Sequence, residues 1–367
     1  MKDRTIGASV ATRRQVLAAG LASAGLLVVG GEGRAAAAPS SLPPPFTLGV
    51  ASGEPEPDGV VLWTRLAPQP LDGGGMPDRA VPVEWEIAAD EGLRRVVRRG
   101  VAAALPQHAH TVHVEVGGLR PATWYWYRFR ADGHLSRVGR TRTAPARSAS
   151  PPRLRFAFAS CQNFQDGFWP AYAGMAAEDL ELVVHLGDYI YEGGVNAGAP
   201  RQHNSAEIVT LADYRNRHAL YRGDPALQAA HAAFPWLLTF DDHEVENNYA
   251  GAIPENPAEA SGFLARRAAA YQAYWEHLPL RRRQRPHGPD LLLYRQAAFG
   301  DLLELRLLDT RQYRTDQPCG DGLQVRCPAA LDPAATMTGP AQERCAPSKY
   351  LMCGFSGNAA SAPRPAS

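Results

Sequence analysis

The chain has 367 residues, of which 45% are hydrophobic and 20% are charged, and its formal net charge is +1. This length and apolar content are typical of a soluble protein with room for about two domains. The near-neutral charge excludes the basic footprint of a nonspecific nucleic-acid-binding protein and the polybasic surface of a membrane-surface protein.

The amino-terminal segment has the pattern of an export signal. Arg13 and Arg14 precede an apolar stretch at residues 16–30, and three small residues follow at 35–37. These are the parts of a twin-arginine signal peptide. The apolar stretch is shorter than the about 20 residues of a membrane-spanning helix. We therefore predict a signal peptide at residues 1–37, export by the twin-arginine translocase, no stable membrane span, and a periplasmic or extracellular location.

Residues 44–145 show the alternation of apolar and polar residues that is typical of β-strands. Gly, Pro or Asp bounds each run, as turns between strands require. The pattern predicts an antiparallel, all-β sandwich domain of the fibronectin or immunoglobulin kind. Residues 119–125 resemble the approach to the tyrosine corner of fibronectin type III domains, which is a packing device. The runs lie at residues 60–65, 83–87, 111–116 and 124–129.

A second domain, at residues 152–344, follows a linker rich in Ala, Ser and Pro at residues 144–152. Here apolar strands alternate with helical stretches, which predicts an α/β layered fold. The long polar stretch at residues 193–206 is either a lid or substrate loop or a disordered insertion. We predict helices at residues 168–179, 211–219 and 261–277, and a strand at residues 302–309.

Three apolar strands of this domain end in residues whose side chains bind metal ions. Cys161 ends the first, a Gly-Asp turn with Asp188 ends the second, and an Asp-Asp-His-Glu segment with Asp242 ends the third. Tyr191 follows Asp188 by three positions. Two cations about 3.5–4 Å apart repel each other unless an anionic ligand lies between them, and a carboxylate can bridge both. The pattern therefore predicts a metal pair, with Asp188 placed to bridge it.

Each candidate also has a structural interpretation. Cys161 by itself is typical of a small buried hydrophobe, and Tyr191 of a strand-end aromatic, but their positions at strand ends favour ligands. Tyr189 and His185 are better interpreted as packed residues, or for His185 as a partner of the ligands. The remaining histidines in this region lack ligand spacing and are predicted to be structural: His203, His218, His231, His277 and His287.

Four motifs follow one another along the chain: Phe-Ala-Ser-Cys-Gln at residues 158–162, His-Leu-Gly-Asp-Tyr-Ile-Tyr-Glu at 185–192, Asp-Asp-His-Glu at 241–244, and Leu-Asp-Thr-Arg-Gln-Tyr-Arg at 308–314. Together they resemble the alkaline phosphatase D (PhoD) family of binuclear metallophosphoesterases, over nearly all of residues 46–344. The resemblance implies an α/β metallophosphoesterase-type sandwich. It also implies an exported, metal-dependent phosphoric ester hydrolase that releases phosphate from extracellular phosphate esters.

The resemblance implies roles for individual residues. Asp188 would bridge the metals, Cys161 and Tyr191 would bind a ferric ion, and Asp242 would bind calcium. Phenolate and thiolate suit iron, whereas calcium prefers oxygen ligands. His243 would contact the phosphate and assist the leaving oxygen, so that His243 and Asp242 form the catalytic set. The metals would neutralise the phosphate charge and supply the attacking oxygen.

Other polar residues of the same motifs are predicted to support this site. Arg311 would hold phosphate oxygens with its planar fork. Asp241 and Glu244 would hydrogen-bond to the metal ligands. A purple-acid-type phosphatase is less favoured, because Ser-Cys-Gln at residues 160–162 stands where that group carries Asp-x-His.

The carboxyl end departs from the family pattern. Cys319 and Cys327 flank a turn-rich segment and are placed to form a disulfide in an oxidising compartment. Residues 345–367 have the composition of an aberrant low-complexity tail. We expect a frameshift or premature end near Arg344, with the remaining ligands of the second metal beyond it. This leaves an alternative: a secreted, non-catalytic product in which only the amino-terminal β-sandwich folds stably.

Overall fold

The computed structural model describes residues 41–320, 323–345 and 352–353. The predicted signal peptide and most of the predicted tail lie outside the described residues. The described helices are α1 Pro170–Ala177, α2 Leu211–Arg222, α3 Pro225–Ala233, α4 Ala260–His277 and α5 Gly339–Cys345. The described strands are β1 Val50–Glu56, β2 Gly59–Arg65, β3 Val81–Ala88, β4 Val96–Ala104, β5 Thr111–Val116, β6 Trp124–Ala131, β7 His134–Leu135, β8 Gly139–Arg142, β9 Phe156–Ala159, β10 Leu182–His185, β11 Pro235–Leu238, β12 Arg295–Phe299, β13 Leu303–Leu307 and β14 Met352–Cys353.

The amino-terminal strands form a sandwich of two sheets. One sheet contains β4-β3-β6-β7 with β8 on β6, and the other contains β5-β2-β1. Their inner faces share one core, to which Leu62 contributes from one sheet and Ile87 and Tyr127 from the other. The four strands predicted from alternation are confirmed as β2, β3, β5 and β6. Tyr125 accepts a hydrogen bond at its hydroxyl from the backbone N–H of Arg120, 2.9 Å away, as a tyrosine corner does.

The second of these sheets does not end at the sandwich. Strand β1 runs parallel to β11, with Ser52 opposite Pro235 and Gly53 opposite Trp236, so six strands in the order β5-β2-β1-β11-β10-β9 form one sheet. A Cβ at Gly53 would lie 2.6 Å from the carbonyl oxygen of Pro279, which explains why glycine stands there. The predicted sandwich domain at residues 44–145 and the α/β domain therefore share one sheet through backbone pairing, which strand patterning does not reveal.

Strands β9, β10 and β11 are parallel neighbours. Alternate residues of the central strand face opposite layers: Val183 packs among the helices, whereas Leu182 and Val184 pack against Phe299 and Leu305 near the β12–β13 hairpin. Both faces are therefore covered, and such strands need continuous apolar residues. This explains why the sequence shows apolar runs here rather than alternation.

The helices begin and end near their predicted bounds. Helices α1, α2 and α4 confirm the three predicted helical stretches, and β13 confirms the predicted strand at residues 302–309. Helix α2 begins with a capping box between Thr210 and Asp213. Helix α3 was not predicted, although its start has a clear signal: the side chain of Asp224 accepts from two backbone N–H groups, and Pro225 occupies the first turn. None of the described helices combines the length and apolar character needed to cross a membrane.

The predicted disulfide between Cys319 and Cys327 is confirmed, with the two Cα atoms 5.7 Å apart.

The polar stretch at residues 193–206 contains turns and bends but no helix or strand. It is tied to the rest of the domain, since Gln165 donates to the carbonyl of Gly194 and Arg217 donates to that of Gly193. It therefore has a defined conformation, contrary to a disordered insertion.

Candidate metal centre

The candidate site is built from three loops that follow β9, β10 and β11. Because parallel strands point the same way, their carboxyl ends meet at one edge of the sheet. Cys161 follows β9, and its backbone N–H donates to the carbonyl of Gly187, 3.1 Å away, in the loop after β10. The next N–H, of Gln162, donates to the carbonyl of Asp188 at 3.1 Å. The first two loops are thus held together by their backbones.

The loop after β10 also lies against the loop after β11. Gly187 has φ +123°, and a Cβ there would lie 2.6 Å from the backbone nitrogen of Asp241. Cys161 and Asp188 have φ values of 54° and 55°, in the left-handed region that non-glycine residues rarely adopt. Strained backbone of this kind costs about 1–3 kcal/mol per residue and is concentrated at functional sites. The tight turn brings the carboxylate of Asp188 to the third loop.

Asp188, Asp242 and His243 form a cluster whose potential ligand atoms all lie within 4.8 Å of one another. Both carboxylates belong to residues only 4% exposed. Oδ2 of Asp188 accepts a hydrogen bond from the Tyr191 hydroxyl at 3.0 Å, whereas Oδ1 is buried with no hydrogen-bond partner among the described residues. Burial raises the pKa of Asp188. A cation fits this arrangement, because it would both satisfy Oδ1 and favour the charged carboxylate.

Tyr191 and Cys161 flank Asp188, as the sequence predicted. The Tyr191 ring stacks on the His243 ring with 4.1 Å between centroids, while its hydroxyl points to Asp188. Burial, followed by the charge of Asp188, raises the pKa of the Tyr191 hydroxyl in the protein without a cation. Cys161 carries a free thiol, and its partial burial together with the Asp188 charge raises the pKa of that thiol. Thiol, phenol and carboxyl groups thus lie side by side.

Arg311, which was predicted to hold phosphate oxygens, lies against two carboxylates of the site. Its Nε donates to Asp241 Oδ1 at 2.5 Å and its Nη2 to Asp242 Oδ1 at 3.0 Å, and the residue is 1% exposed. Burial acts to raise the pKa of Asp242, but the charges of Arg311 and His243 outweigh it and hold that pKa below its usual value. In Asp241 burial prevails and the pKa rises to about 6. Arg311 therefore aligns two carboxylates.

Glu244 links two of the loops from inside the protein. It is fully buried, and its carboxylate accepts from the backbone N–H of Tyr189 at 2.5 Å and from that of Asp241 at 2.9 Å. A substitution there would release both loops at once. Glu244 was predicted to hydrogen-bond to the metal ligands, but its carboxylate instead holds the backbone of the residues next to Asp188 and Asp242.

Glu192 is the last residue of the motif at residues 185–192, and no role was predicted for it. Its Oε2 lies 2.8 Å from Nδ1 of His243, and its Oε1 accepts from the backbone N–H of Asn247 at 2.8 Å. Although burial acts to lower the pKa of His243, the hydrogen bond and charge of Glu192 raise it to about 9. The sequence signal was its place directly after Tyr191, on the strand-end loop that carries Asp188.

Two neighbouring aromatic residues are packed, as predicted. His185 is fully buried, and burial lowers its pKa to about 3, so the ring is neutral. Its Nδ1 accepts from the backbone N–H of Gly187 at 3.4 Å, which supports the turn before Asp188. Tyr189 is fully buried and its hydroxyl bonds to His231.

Comparison with known families identifies the two segments of the chain separately. Residues 156–346 match the model of the PhoD-like phosphatase family, and residues 33–145 match that of its amino-terminal domain. Alkaline phosphatase D from Bacillus subtilis (strain 168) is 56% identical over 313 residues, which are 84% of this chain and 54% of that protein. The chain therefore spans about half the length of this curated relative.

Solved structures agree with this assignment. A structure described as that of PhoD, 56% identical, superposes with a TM-score of 0.82 over 84% of this chain and 60% of the other. A purple acid phosphatase from yellow lupin is 12% identical, with a TM-score of 0.45 over 72% of this chain and 45% of the lupin chain. The PhoD match supports the predicted metallophosphoesterase-type fold with an additional amino-terminal domain. The chain belongs to the PhoD-like phosphatase family.

Proposed function

We propose that this chain is a metal-dependent hydrolase of phosphate esters. The observation that carries the proposal is the cluster of Asp188, Asp242 and His243, within 4.8 Å, in which Oδ1 of Asp188 is buried without a hydrogen-bond partner among the described residues. Membership of the PhoD-like phosphatase family supports the same activity.

The donor atoms suit two different cations. Cys161, Asp188 and Tyr191 offer a thiolate, a carboxylate and a phenolate, a set that favours ferric iron. Asp188 and Asp242 offer only oxygens to the other position, which favours calcium. When bound, the two metals would neutralise the phosphate charge and make a water molecule acidic enough to attack phosphorus.

His243 is the residue of this chain best placed to act on the substrate. Glu192 engages its Nδ1, which leaves Nε2 for a phosphate oxygen or for the leaving oxygen. In the protein without a cation, Glu192 raises the pKa of His243 to about 9, which favours the protonated imidazole, a form that can donate a proton or a hydrogen bond. Stacking on Tyr191 fixes the plane of the ring. His243 would thereby stabilise the negative charge that develops on the ester oxygen.

Arg311 positions the carboxylates of this site, since two of its nitrogens bond to Asp241 and Asp242 and only 1% of the residue is exposed. Its Nη1 is buried without a hydrogen-bond partner among the described residues, so the predicted contact with a phosphate oxygen stays part of the proposal. We assign it the task of fixing Asp242 in its ionised form. Asp242 can then serve as the second metal's ligand beside His243.

The substrate class follows from the chemistry of the site, namely monoesters or diesters of phosphoric acid. The twin-arginine motif at residues 13–14, outside the described residues, supports export to the periplasm or extracellular space. The hydrogen bond from the Arg120 N–H to the Tyr125 hydroxyl supports a fibronectin-like sandwich that serves as a structural module. The alternative of a non-catalytic product with only the sandwich folded is not favoured. The described α/β core shares its central sheet with the sandwich, through β1 and β11, and has its own buried cluster of residues.

Metal analysis of the purified full chain, together with its visible absorption spectrum, tests this proposal. We expect bound iron and a phenolate or thiolate charge-transfer band that weakens in Tyr191→Phe and Cys161→Ser. Hydrolysis of a chromogenic phosphate ester is measured on the same samples. A folded chain that binds no metal and hydrolyses no ester would overturn the proposal. Tyr313→Phe, at a half-exposed tyrosine that contacts Tyr294 instead, is the matched control.

A further inference from the structure

Arg222 is a buried cation for which the described residues provide little compensation. It is fully buried in the last turn of α2. Its Nε and Nη1 have no hydrogen-bond partner within the described part of the chain, and Nη2 donates to the carbonyl of Leu48 at 3.4 Å. The Tyr189 hydroxyl also interacts with the guanidinium. The guanidinium lies over the Trp63 ring, 4.6 Å from its centroid. A cation–π contact offsets only part of the cost of removing such a charge from water.

The carboxylates whose charge reaches this region are already paired. Glu276 makes two hydrogen bonds of 2.7 Å to the guanidinium of Arg215. Asp224 accepts from Arg201 at 2.7 Å and caps α3. Arg222 thus retains a positive charge that no described carboxylate takes up by direct contact.

Neutral polar rings surround this charge. His218 lies four residues before Arg222 on α2, so both side chains project from the same face of the helix. It is fully buried, and neither of its ring nitrogens has a hydrogen-bond partner among the residues described. The Tyr189 ring lies 6.2 Å from His218 and 5.9 Å from His231, centroid to centroid. We call Tyr189, His218, Arg222 and His231 the Arg222 cluster.

The histidines of the Arg222 cluster cannot provide the missing negative charge. Burial lowers the pKa of His218 to about 3 and the pKa of His231 well below its usual value, and the charge of Arg222 adds a smaller shift in the same direction. Both rings are therefore neutral and each carries one N–H donor. Nδ1 of His231 is a further buried atom without a partner in the described structure. Buried polar atoms left unpaired cost about 1–3 kcal/mol each, so an acceptor beside Nε and Nη1 of Arg222 would stabilise the folded chain.

We propose that the Arg222 cluster binds one small monovalent anion of halide size, held by Nε and Nη1 of Arg222 and by a ring N–H of His218. One negative charge balances one guanidinium, and a spherical acceptor accommodates donors from several directions. Tyr189, which belongs to the cluster, follows Asp188 directly in the chain. The anion would therefore stabilise the core beneath the Asp188 loop. The inference does not depend on ester hydrolysis.

The test compares salts at equal ionic strength and pH, using the purified full chain. We expect a melting temperature about 2–4 °C higher in sodium chloride or bromide than in sodium gluconate, because ligand binding to the folded state stabilises it. Arg222→Gln should abolish the difference between the salts. Arg267→Gln should retain it, since Arg267 is another buried arginine but bonds to the carbonyls of Pro289 and Gly251.

Crystals grown in sodium bromide provide a readout that needs no variant. A bromide anomalous peak in contact with Arg222 and His218 is the expected result. Water density without an anomalous peak at that place, or a melting temperature of the unsubstituted chain that is the same in chloride and gluconate, would overturn the proposal. If Arg222→Gln does not fold, the diffraction experiment on the unsubstituted chain decides alone.

Discussion

Glu192 and His243 form a hydrogen-bonded pair, 2.8 Å from Oε2 to Nδ1, that joins the loop carrying Asp188 to the loop carrying Asp242. The pair is partly shielded from solvent, so its charge interaction is not screened as at a surface. A carboxylate behind a histidine fixes the orientation and the protonation of the ring. Glu192 therefore links the orientation and protonation of His243 to the loop that carries Asp188.

The substitution Glu192→Gln should lower the pKa of His243 from about 9 toward the ordinary value of 6.5, since the carboxylate that raises it is removed. Proton NMR titration of the metal-free protein measures this directly. If the holoprotein hydrolyses esters, we expect the rate to fall about 10- to 100-fold, as is typical for residues that support a metal site. Glu207→Gln, at a half-exposed partner of Arg266, is the control. An unchanged His243 titration would contradict the assignment.

Asp188→Asn should prevent the loading of two metals. The amide cannot bridge two cations with anionic oxygens, and it leaves their mutual repulsion uncompensated. Elemental analysis of the purified variant measures the outcome, with Asp179→Asn as a control because Asp179 is an exposed surface carboxylate. Two metals per chain in Asp188→Asn would refute the bridging role.

Gly187→Ala should destabilise the protein by about 1–3 kcal/mol or more, because the new Cβ meets the backbone of Asp241 at 2.6 Å and φ is +123°. Chemical denaturation measures the free energy of unfolding. Gly174→Ala is the matched control: Gly174 lies inside α1 with open space at its Cβ position. There we expect stabilisation of about 0.5–1 kcal/mol. Equal effects at the two glycines would show that the loop contact is not tight.

The contribution of His113 to the stability of the protein should decrease as the pH falls from about 6.5 to 4. Burial lowers the pKa of His113 to about 4, although its contacts with the carbonyls of Trp275 and Leu278 act to raise it. The unfolded chain then binds a proton that the folded chain does not, so folding is favoured above the unfolded pKa and disfavoured below it. The slope is about 1.4 kcal/mol per pH unit for each such histidine.

Urea denaturation at several pH values between 7.5 and 4 checks this slope. His113→Phe removes one titrating group, so it should reduce the slope of stability against pH by about 1.4 kcal/mol per pH unit. His287→Phe, at an exposed histidine, should leave the slope unchanged. A slope that is the same in His113→Phe and in the unsubstituted chain would contradict the assignment to His113.

Local sequence was sufficient to locate the three loops of the candidate site. Cys161, Asp188 and Asp242 each follow a short apolar strand, and parallel strands that lie side by side bring their ends together. The Gly-Asp turn also has a local cause, because Gly187 must adopt φ +123°. Motif order then identified the family, and the comparison confirmed it. These features depend on residues that are close together in the sequence, so they can be recognised in a single amino-acid sequence.

Other features depended on contacts that no local pattern records. Glu192 meets His243 across 51 positions, and Arg311 meets Asp242 across 69. Strand β1 was not predicted from the sequence. Its register with Pro235 and Trp236 of the parallel strand β11 is set by packing. The sequence by itself determined which residue types stand at the strand ends, since backbone conformation and apolar patterning are local. Only the tertiary structure decided which charges face one another, because burial and pairing arise when distant segments exclude water together.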